Sequence, residues 1–143
     1  MSVKVDIKSL NPKGFQNYAK SLEKQIKDKM NVAGNLVRNT AVQSILGGSK
    51  AGVTYEKYNP RRSHTASAAG QAPASDTGFL ASNITFNLTE GGMVANVESR
   101  AKYSIFLEFG TQNMKARPFM FPALEENKPK IRRMFATVKG KPK

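Results

Sequence analysis

The segment from residue 103 to residue 123 constrains the fold of this chain most strongly, because it joins an alternating apolar pattern to a glycine and a proline-rich aromatic cluster. Apolar side chains recur there at a period of two, which predicts a half-buried β-strand. These side chains are Tyr103, Ile105, Leu107 and Phe109. Glu108 falls on the opposite face of this strand, where we expect a lone acid to form a salt bridge. Gly110 ends the strand, since a residue without a Cβ can turn where others clash.

The second part of the segment places large apolar side chains between two prolines, Pro118 and Pro122. We expect the two phenylalanines of this cluster, Phe119 and Phe121, to pack in the core, and the less favoured alternative is that they anchor a subunit interface. Pro122 is predicted to be the first residue of a helix, where its missing N–H costs no hydrogen bond. The strand, the glycine turn, the aromatic cluster and the helix start therefore form one unit that needs a core to pack against.

A long amphipathic helix is predicted over residues 13–46. Apolar side chains recur at three- and four-residue spacing from Phe15 to Ile45, and charged side chains lie off this stripe. A straight helix of this span would be about 50 Å long. That length exceeds the diameter of about 40 Å expected for a compact chain of this size. The helix is therefore expected either to bend, at Gly34, or to project and pack on another subunit.

Two further strands are predicted at residues 79–88 and 93–97, joined by a hairpin turn at residues 89–92. With the strand at residues 103–109 they would form an antiparallel meander. Residues 3–7 also alternate, which predicts a fourth strand at the edge. The apolar face of such a small sheet must be covered, and the long helix is the expected cover. The predicted fold class is therefore α+β.

The remaining segments complete a single domain over residues 1–143. A shorter C-terminal helix is predicted after the aromatic cluster, with a kink or a break at Pro129. Residues 139–143 are predicted to be a disordered basic tail. Residues 48–78 are rich in small and polar residues and are predicted to be a long mobile loop, or an arm that becomes ordered on a neighbour. Four side chains of this loop are candidates for contacts with another subunit or with DNA: Tyr55, Tyr58, Arg61 and Arg62.

The composition restricts the function classes. The net charge of +13 is compatible with nucleic-acid binding through counterion release, or with a soluble surface that matches an acidic protein neighbour. We favour the second interpretation, because no basic run is interleaved with stacking aromatic residues. The absence of cysteine excludes disulfides and thiolate zinc sites. No apolar run approaches the ~18 residues that span a membrane, so no membrane association is expected.

No catalytic arrangement is evident in the sequence. The single histidine, His64, has no second histidine or cysteine with which to hold zinc. Adjacent carboxylates occur at Glu125 and Glu126, but neighbours on a helix point about 100° apart and do not form an acid–base pair. We therefore expect a protein without cofactor or metal that is not an enzyme.

Two short motifs together resemble a known family. The first is Asp-Thr-Gly-x-Leu at residues 76–80, and the second joins Glu-Phe-Gly-Thr at residues 108–111 to Arg-Pro-Phe-x-x-Pro-Ala at residues 117–123. They resemble the minor tail component family of tailed bacteriophages, also called tail-completion or head–tail joining (neck) proteins. The residues that carry the resemblance are Asp76, Thr77, Gly78, Leu80, Tyr103, Glu108, Phe109, Gly110, Thr111, Arg117, Pro118, Phe119, Pro122 and Ala123.

The resemblance implies a structural virion protein of α+β fold at the neck, where the tail tube meets the head connector. It implies a homo-oligomeric ring, commonly sixfold, that contacts connector or stopper proteins and tail tube or terminator proteins, with DNA passing through the ring. Such a protein would be found in the virion, and in the host cytoplasm before assembly. The motif residues are expected to shape the local fold. Two alternatives are a tail terminator ring that caps the tail tube and, less favoured, a basic DNA-binding protein.

Overall fold

The structure is a computed structural model that describes residues 12–139. Its elements are α1 (Pro12–Leu46), β1 (Thr54–Tyr58), β2 (Arg61–Thr65), α2 (Phe79–Ser82), β3 (Ile84–Thr89), β4 (Val94–Ser99), α3 (Ser104–Phe109) and α4 (Met120–Ala136). This arrangement confirms the α+β class, with a long N-terminal helix and a shorter C-terminal one. The strand predicted at residues 3–7 lies outside the described residues, as do residues 140–143 of the basic tail.

The strands form two antiparallel hairpins. β1 pairs with β2, and β3 pairs with β4 so that Phe86 lies opposite Val97. The two pairs are separate two-stranded sheets. The turn predicted between β3 and β4 is confirmed and contains a short 3-10 segment, Glu90–Gly92. The strands therefore do not form the single meander that we predicted, and the reason lies in the segment that should have been its third strand.

That segment is a helix, α3. The backbone N–H of Leu107 donates to the carbonyl of Tyr103, and that of Gly110 donates to the carbonyl of Phe106, as in an α-helix. Residues two apart in a helix point about 200° away from each other, not to one face. Leu107 accordingly packs against the core, while Ile105 is exposed. A six-residue run is too short to separate a period of two from a period of 3.6, so the predicted strand was wrong.

The long helix is confirmed, and its buried stripe lies in its C-terminal half. Ala33, Val37, Ala41 and Ile45 recur at four-residue spacing and are buried. Gly34, predicted as a bending point, is a position of close packing: a Cβ there would lie 1.9 Å from Cε2 of Phe86 on β3. Within the described part of α1, none of residues 13–32 has a buried side chain. The C-terminal half of α1 thus serves the fold, and the N-terminal half lies on the surface.

The aromatic cluster before α4 is divided between the core and the surface. Phe119 is only 1 % exposed and contributes to a core that includes Ile45 and Ile84, as predicted. Phe121 is 63 % exposed, so its predicted place in the core was wrong. Pro122 is the third residue of α4 and not the first, although its missing N–H still falls in the first turn, where no intrahelical partner exists.

α4 continues through Pro129 as one helix, so the predicted break does not occur. Pro129 lies on the exposed side of the helix, where water can hydrate the carbonyl that loses its hydrogen bond. A buried polar anchor lies two residues earlier. Asn127, 0 % exposed, donates through Nδ2 to the hydroxyl of Thr40 on α1 at 2.8 Å and to the carbonyl of Ala123 at 2.8 Å. The bond to Thr40 ties α4 to α1 just before the proline, and the bond to Ala123 lies within α4.

The segment at residues 48–78 is not a single long loop, because it contains β1 and β2. Both strands are exposed along most of their length, so the alternation between apolar and polar residues that reveals a half-buried strand is missing. The hairpin is extended by a backbone N–H of Gly52 that donates to the carbonyl of Ala66 at 2.9 Å. A Cβ at Gly52 would lie 2.5 Å from that carbonyl oxygen, so the close approach requires glycine.

Candidate interaction surfaces

The Glu108 carboxylate holds the first turn of α4. One oxygen accepts hydrogen bonds from the backbone N–H groups of Phe119 at 2.9 Å and Met120 at 3.1 Å, and the other accepts from Phe121 at 2.9 Å. The first N–H groups of a helix have no intrahelical partner, and the helix dipole favours a negative charge there. α4 has no capping side chain of its own and no acidic residue in its first turn. Glu108 therefore caps α4 from α3, and the predicted exposed salt-bridge role was wrong.

The loop between Gly110 and α4 is folded back onto α3. Gly110 has a φ of 78°, and a Cβ there would lie 2.7 Å from the carbonyl oxygen of Met114. The N–H of Thr111 donates to that same carbonyl at 2.8 Å, and the N–H of Arg117 donates to the carbonyl of Leu107 at 2.7 Å. These contacts return the chain to α3 just before Phe119 enters the core. The Glu-Phe-Gly-Thr and Arg-Pro-Phe motifs thus meet in space.

The Asp-Thr-Gly-x-Leu motif links the β1–β2 hairpin to the core. The Asp76 carboxylate forms an ion pair with Lys57 on β1 through one oxygen and with Arg62 on β2 through the other, the latter at 2.8 Å. The hydrogen bond from Lys57 is the largest influence and lowers the pKa of Asp76; burial, the next largest, raises the pKa, and the charge of Arg62 lowers it further. Gly78 has a φ of 78° at the start of α2, and Leu80 is buried.

The four loop residues proposed for external contacts all lie on the exposed β1–β2 hairpin. Tyr58 is 78 % exposed and pairs in register with Arg61, which forms no ion pair within residues 12–139. Tyr55 is also exposed, opposite His64. Arg62 is held by Asp76. The four side chains are accessible, and their contacts with a subunit or with DNA stay a prediction.

A surface formed by α3 and the start of α4 exposes large apolar side chains. It consists of Ile105, Phe106, Phe109, Phe121 and Leu124, with exposed fractions of 58, 54, 78, 63 and 39 %. The three α3 residues share one helix face, since positions three and four apart are neighbours. The same spacing relates Phe121 to Leu124 on α4. We refer to these five residues as the apolar surface. It could not be predicted from the sequence, because the predicted strand placed Ile105 and Phe109 on the core face and Phe121 was expected in the core.

Next to the apolar surface is a groove of about 630 Å³ between α1, β4, α3 and α4. Phe109, Phe121 and Leu124 belong to both features. The opposite wall is formed by Met30, Ala33, Gly34 and Val37 of α1, and Ala95 and Val97 of β4 line the end. We refer to it as the apolar groove. The surface and the groove are continuous with each other through these three shared side chains.

Metal ligands and membrane spans can be assessed for residues 12–139. In this range, no group of three or more histidine, cysteine, aspartate or glutamate side chains lies close enough to hold a metal ion. None of the described helices is both long and apolar enough to cross a membrane.

A small α+β chain that exposes five large apolar side chains on one surface has the organisation of a protein completed by a partner. The family model described as "Bacteriophage HK97-gp10, putative tail-component" matches residues 12–110. This match covers more than half of the 143 residues, and the chain belongs to this family. The predicted resemblance to phage tail components is thereby confirmed. The match includes Asp76 and Glu108 but ends before the Arg-Pro-Phe motif. No curated protein and no solved structure is significantly similar to the chain.

Membership of this family identifies the chain as a tail component of a bacteriophage, consistent with a structural virion protein that contacts other virion proteins. The α3 segment, Glu108 and Gly110 lie at the end of the matched range. The first turn of α4, which Glu108 holds, lies beyond the matched range together with the rest of α4. The apolar surface is therefore built from both a matched and an unmatched part of the chain.

Proposed function

We propose that this protein is a non-catalytic, ring-forming tail-completion protein that joins the tail tube to the head connector in the neck of a tailed phage. The observation that carries the proposal is the apolar surface, whose phenylalanines at positions 106, 109 and 121 are each more than half exposed. Covering a side chain of this kind stabilises a complex by about 1.5–3 kcal/mol relative to leaving it in water. A surface with several such residues is unfavourable in a free monomer and favourable at a subunit contact.

The apolar surface is also rigidly supported, which suits an interface. Glu108 on α3 bonds three backbone N–H groups at the start of α4, so the two helices that carry the surface are tied to each other. A surface that is ordered before association loses little conformational entropy when a partner binds. The proposed contact therefore needs no rearrangement of the helices.

The shape of the feature favours a head-to-tail contact between copies. Ile105 and Phe106 protrude from α3 and do not line the apolar groove, whereas Ala95 lines the groove and not the α3 face. In our proposal the α3 face of one copy enters the apolar groove of the next. A contact between two different patches repeats from copy to copy and closes into a ring when the rotation permits. Sixfold symmetry is what the family resemblance leads us to expect.

A phage that lacks this gene, complemented with variants in trans, tests the proposed role. Without the protein we expect DNA-filled heads and tails of normal length that do not join, as seen by electron microscopy of lysates. Phe106→Asp should give the same result, because a charge on the α3 face cannot be buried. Val53→Asp is the control, since Val53 is 64 % exposed but lies outside the apolar surface. Normal virions with Phe106→Asp would contradict the proposal, and tails of uncontrolled length would indicate a tail terminator instead.

The head-to-tail contact is tested by mixing two variants of the purified chain. Phe106→Asp removes the α3 face but leaves the groove, and Ala95→Asp does the reverse. Each variant alone should be monomeric by analytical ultracentrifugation, and their mixture should stop at dimers, because only one intact contact is available. A mixture that stays monomeric, or that forms the same species as either variant alone, would contradict a contact between two different patches.

A further inference from the structure

A second cavity, of about 190 Å³, lies on the side of the molecule where the β1–β2 hairpin meets α3. Its polar lining includes His64, Ser67, Asp76, Thr77 and Arg117, and its apolar lining includes Leu80, Tyr103 and Leu107. We refer to it as the Arg117 cleft. It is separate from the apolar surface and the apolar groove, whose lining residues it does not share.

Two polar groups that line the Arg117 cleft have no partner in the described structure. The Ser67 hydroxyl is buried, with Ser67 only 2 % exposed, and forms no hydrogen bond. The Nε of Arg117 is also buried without an acceptor, and Arg117 forms no ion pair within residues 12–139. Buried polar groups are satisfied in the great majority of cases, so two unsatisfied groups on residues that line one cavity mark a place for an ordered water or a polar ligand.

The carboxylates near the cleft cannot serve Arg117, because they are already used. Asp76 binds Lys57 and Arg62 through its two oxygens. Glu108 binds the N-terminus of α4. Lys57 and Arg62, which do not line the cleft, neutralise the lining carboxylate of Asp76, so within residues 12–139 the Arg117 guanidinium has no counter-charge. This balance attracts a further anion, and a guanidinium with a neighbouring hydroxyl is suited to a carboxylate.

We infer that the Arg117 cleft binds an aspartate or glutamate side chain of a neighbouring protein subunit. The carboxylate would accept hydrogen bonds from the Arg117 guanidinium and the Ser67 hydroxyl. Its methylene groups would contact Leu80 and Leu107. A DNA phosphate fits this cleft less well, because the cavity is small and half of its wall is apolar. The inference goes beyond the joining role and does not require that the protein form a ring.

NMR titration of the ¹⁵N-labelled full chain tests this inference. The probes are N-acetyl-glutamate N-methylamide and its neutral counterpart N-acetyl-glutamine N-methylamide. We expect the glutamate compound to shift the Arg117 Nε–H and the Gly78 amide resonances saturably. The glutamine compound should bind at least tenfold more weakly, since a neutral amide gains little from the guanidinium.

Matched variants locate the effect. Arg117→Gln should abolish the saturable shift at Gly78, whereas Arg100→Gln, an exposed arginine paired with Glu98 outside the cleft, should leave it unchanged. Ser67→Ala should weaken binding of the glutamate compound several-fold. This variant tests the cleft if Arg117→Gln does not fold. No saturable shift with the glutamate compound, or equal shifts with both compounds, would overturn the inference. So would a short DNA duplex that shifts Arg117 when the glutamate compound does not.

Discussion

Phe119 and Phe121 are two residues apart in the chain and lie in opposite surroundings. Phe119 is 1 % exposed and packs with Ile45 and Ile84 in the core, whereas Phe121 is 63 % exposed on the apolar surface. The same contrast separates the buried stripe of α1 from the exposed face of α3. This chain therefore has two sets of large apolar side chains. One set stabilises the fold, and we propose that the other set stabilises an assembly.

Phe119→Ala should have the largest effect on the free energy of unfolding, because Phe119 is the buried member of this pair. Removing a fully buried phenylalanine leaves a cavity and lowers the free energy of unfolding by about 3–5 kcal/mol. Urea denaturation followed by circular dichroism measures the loss. The matched control is Phe121→Ala, which should change the free energy of unfolding by less than about 1 kcal/mol. Equal losses of unfolding free energy in the two variants would contradict the assignment of Phe119 to the core and Phe121 to the surface.

Glu108→Ala should have the next largest effect, because it removes the acceptor of three N–H groups at the start of α4. We expect a loss of about 1–3 kcal/mol in the free energy of unfolding, with fraying of the first turn of α4 visible in amide hydrogen exchange. Glu125→Ala is the control on α4 itself. Its carboxylate forms only an exposed pair with Lys128, and a change within about 0.5 kcal/mol is expected. Unchanged protection at Met120 and Phe121 in Glu108→Ala would contradict the capping role.

The Asp76 ion pairs should give a smaller and local effect that depends on pH. The folded pKa of Asp76 lies below its ordinary value of 3.8, so its stabilising contribution is present above that pH and is lost as the pH falls through the folded pKa. The protection factors of amides in β1 and β2, which are corrected for the intrinsic exchange rate, should therefore fall below about pH 4, and those of the core strands β3 and β4 should fall less. In Asp76→Asn the hairpin should exchange faster at neutral pH and lose this dependence. If the protection of β1 and β2 still depends on pH in Asp76→Asn, a group other than Asp76 is responsible.

Phe109→Ser should have the smallest effect on the fold and a large effect on association. Phe109 is 78 % exposed, so the free energy of unfolding should change by no more than about 0.5 kcal/mol. Joining of heads to tails, scored in the complementation assay, should fail because a polar group replaces the centre of the apolar surface. Virions that assemble normally with Phe109→Ser would contradict the proposal that the apolar surface is needed for assembly.

The parts of the fold that could be predicted from the sequence are those where a pattern runs long enough to define its period. The apolar stripe of α1 extends over nine turns, so its helix was evident. The turn between β3 and β4 was marked by Gly91 and Gly92. In each case a local rule and the tertiary structure agree.

The remaining elements could not be predicted, because tertiary contacts decide them. The residues of α3 alternate like a strand, but Ile105 and Phe109, which the alternation places on the buried face with Leu107, are exposed. β1 and β2 are exposed on both faces and lack an apolar alternation. Glu108 caps a helix that begins twelve positions later in the chain, which local capping rules do not cover. A first turn of α4 without its own capping residue was the one available signal.

Cryo-electron microscopy of the neck of the assembled virion is the direct test of whether a neighbouring copy covers the apolar surface. The quantity to determine is the solvent exposure of Phe106, Phe109 and Phe121 in the particle. We predict that a neighbouring copy covers all three, with its apolar groove receiving α3, and that copies of the chain form a closed ring between connector and tail tube. A particle in which these side chains remain open to solvent would contradict the account.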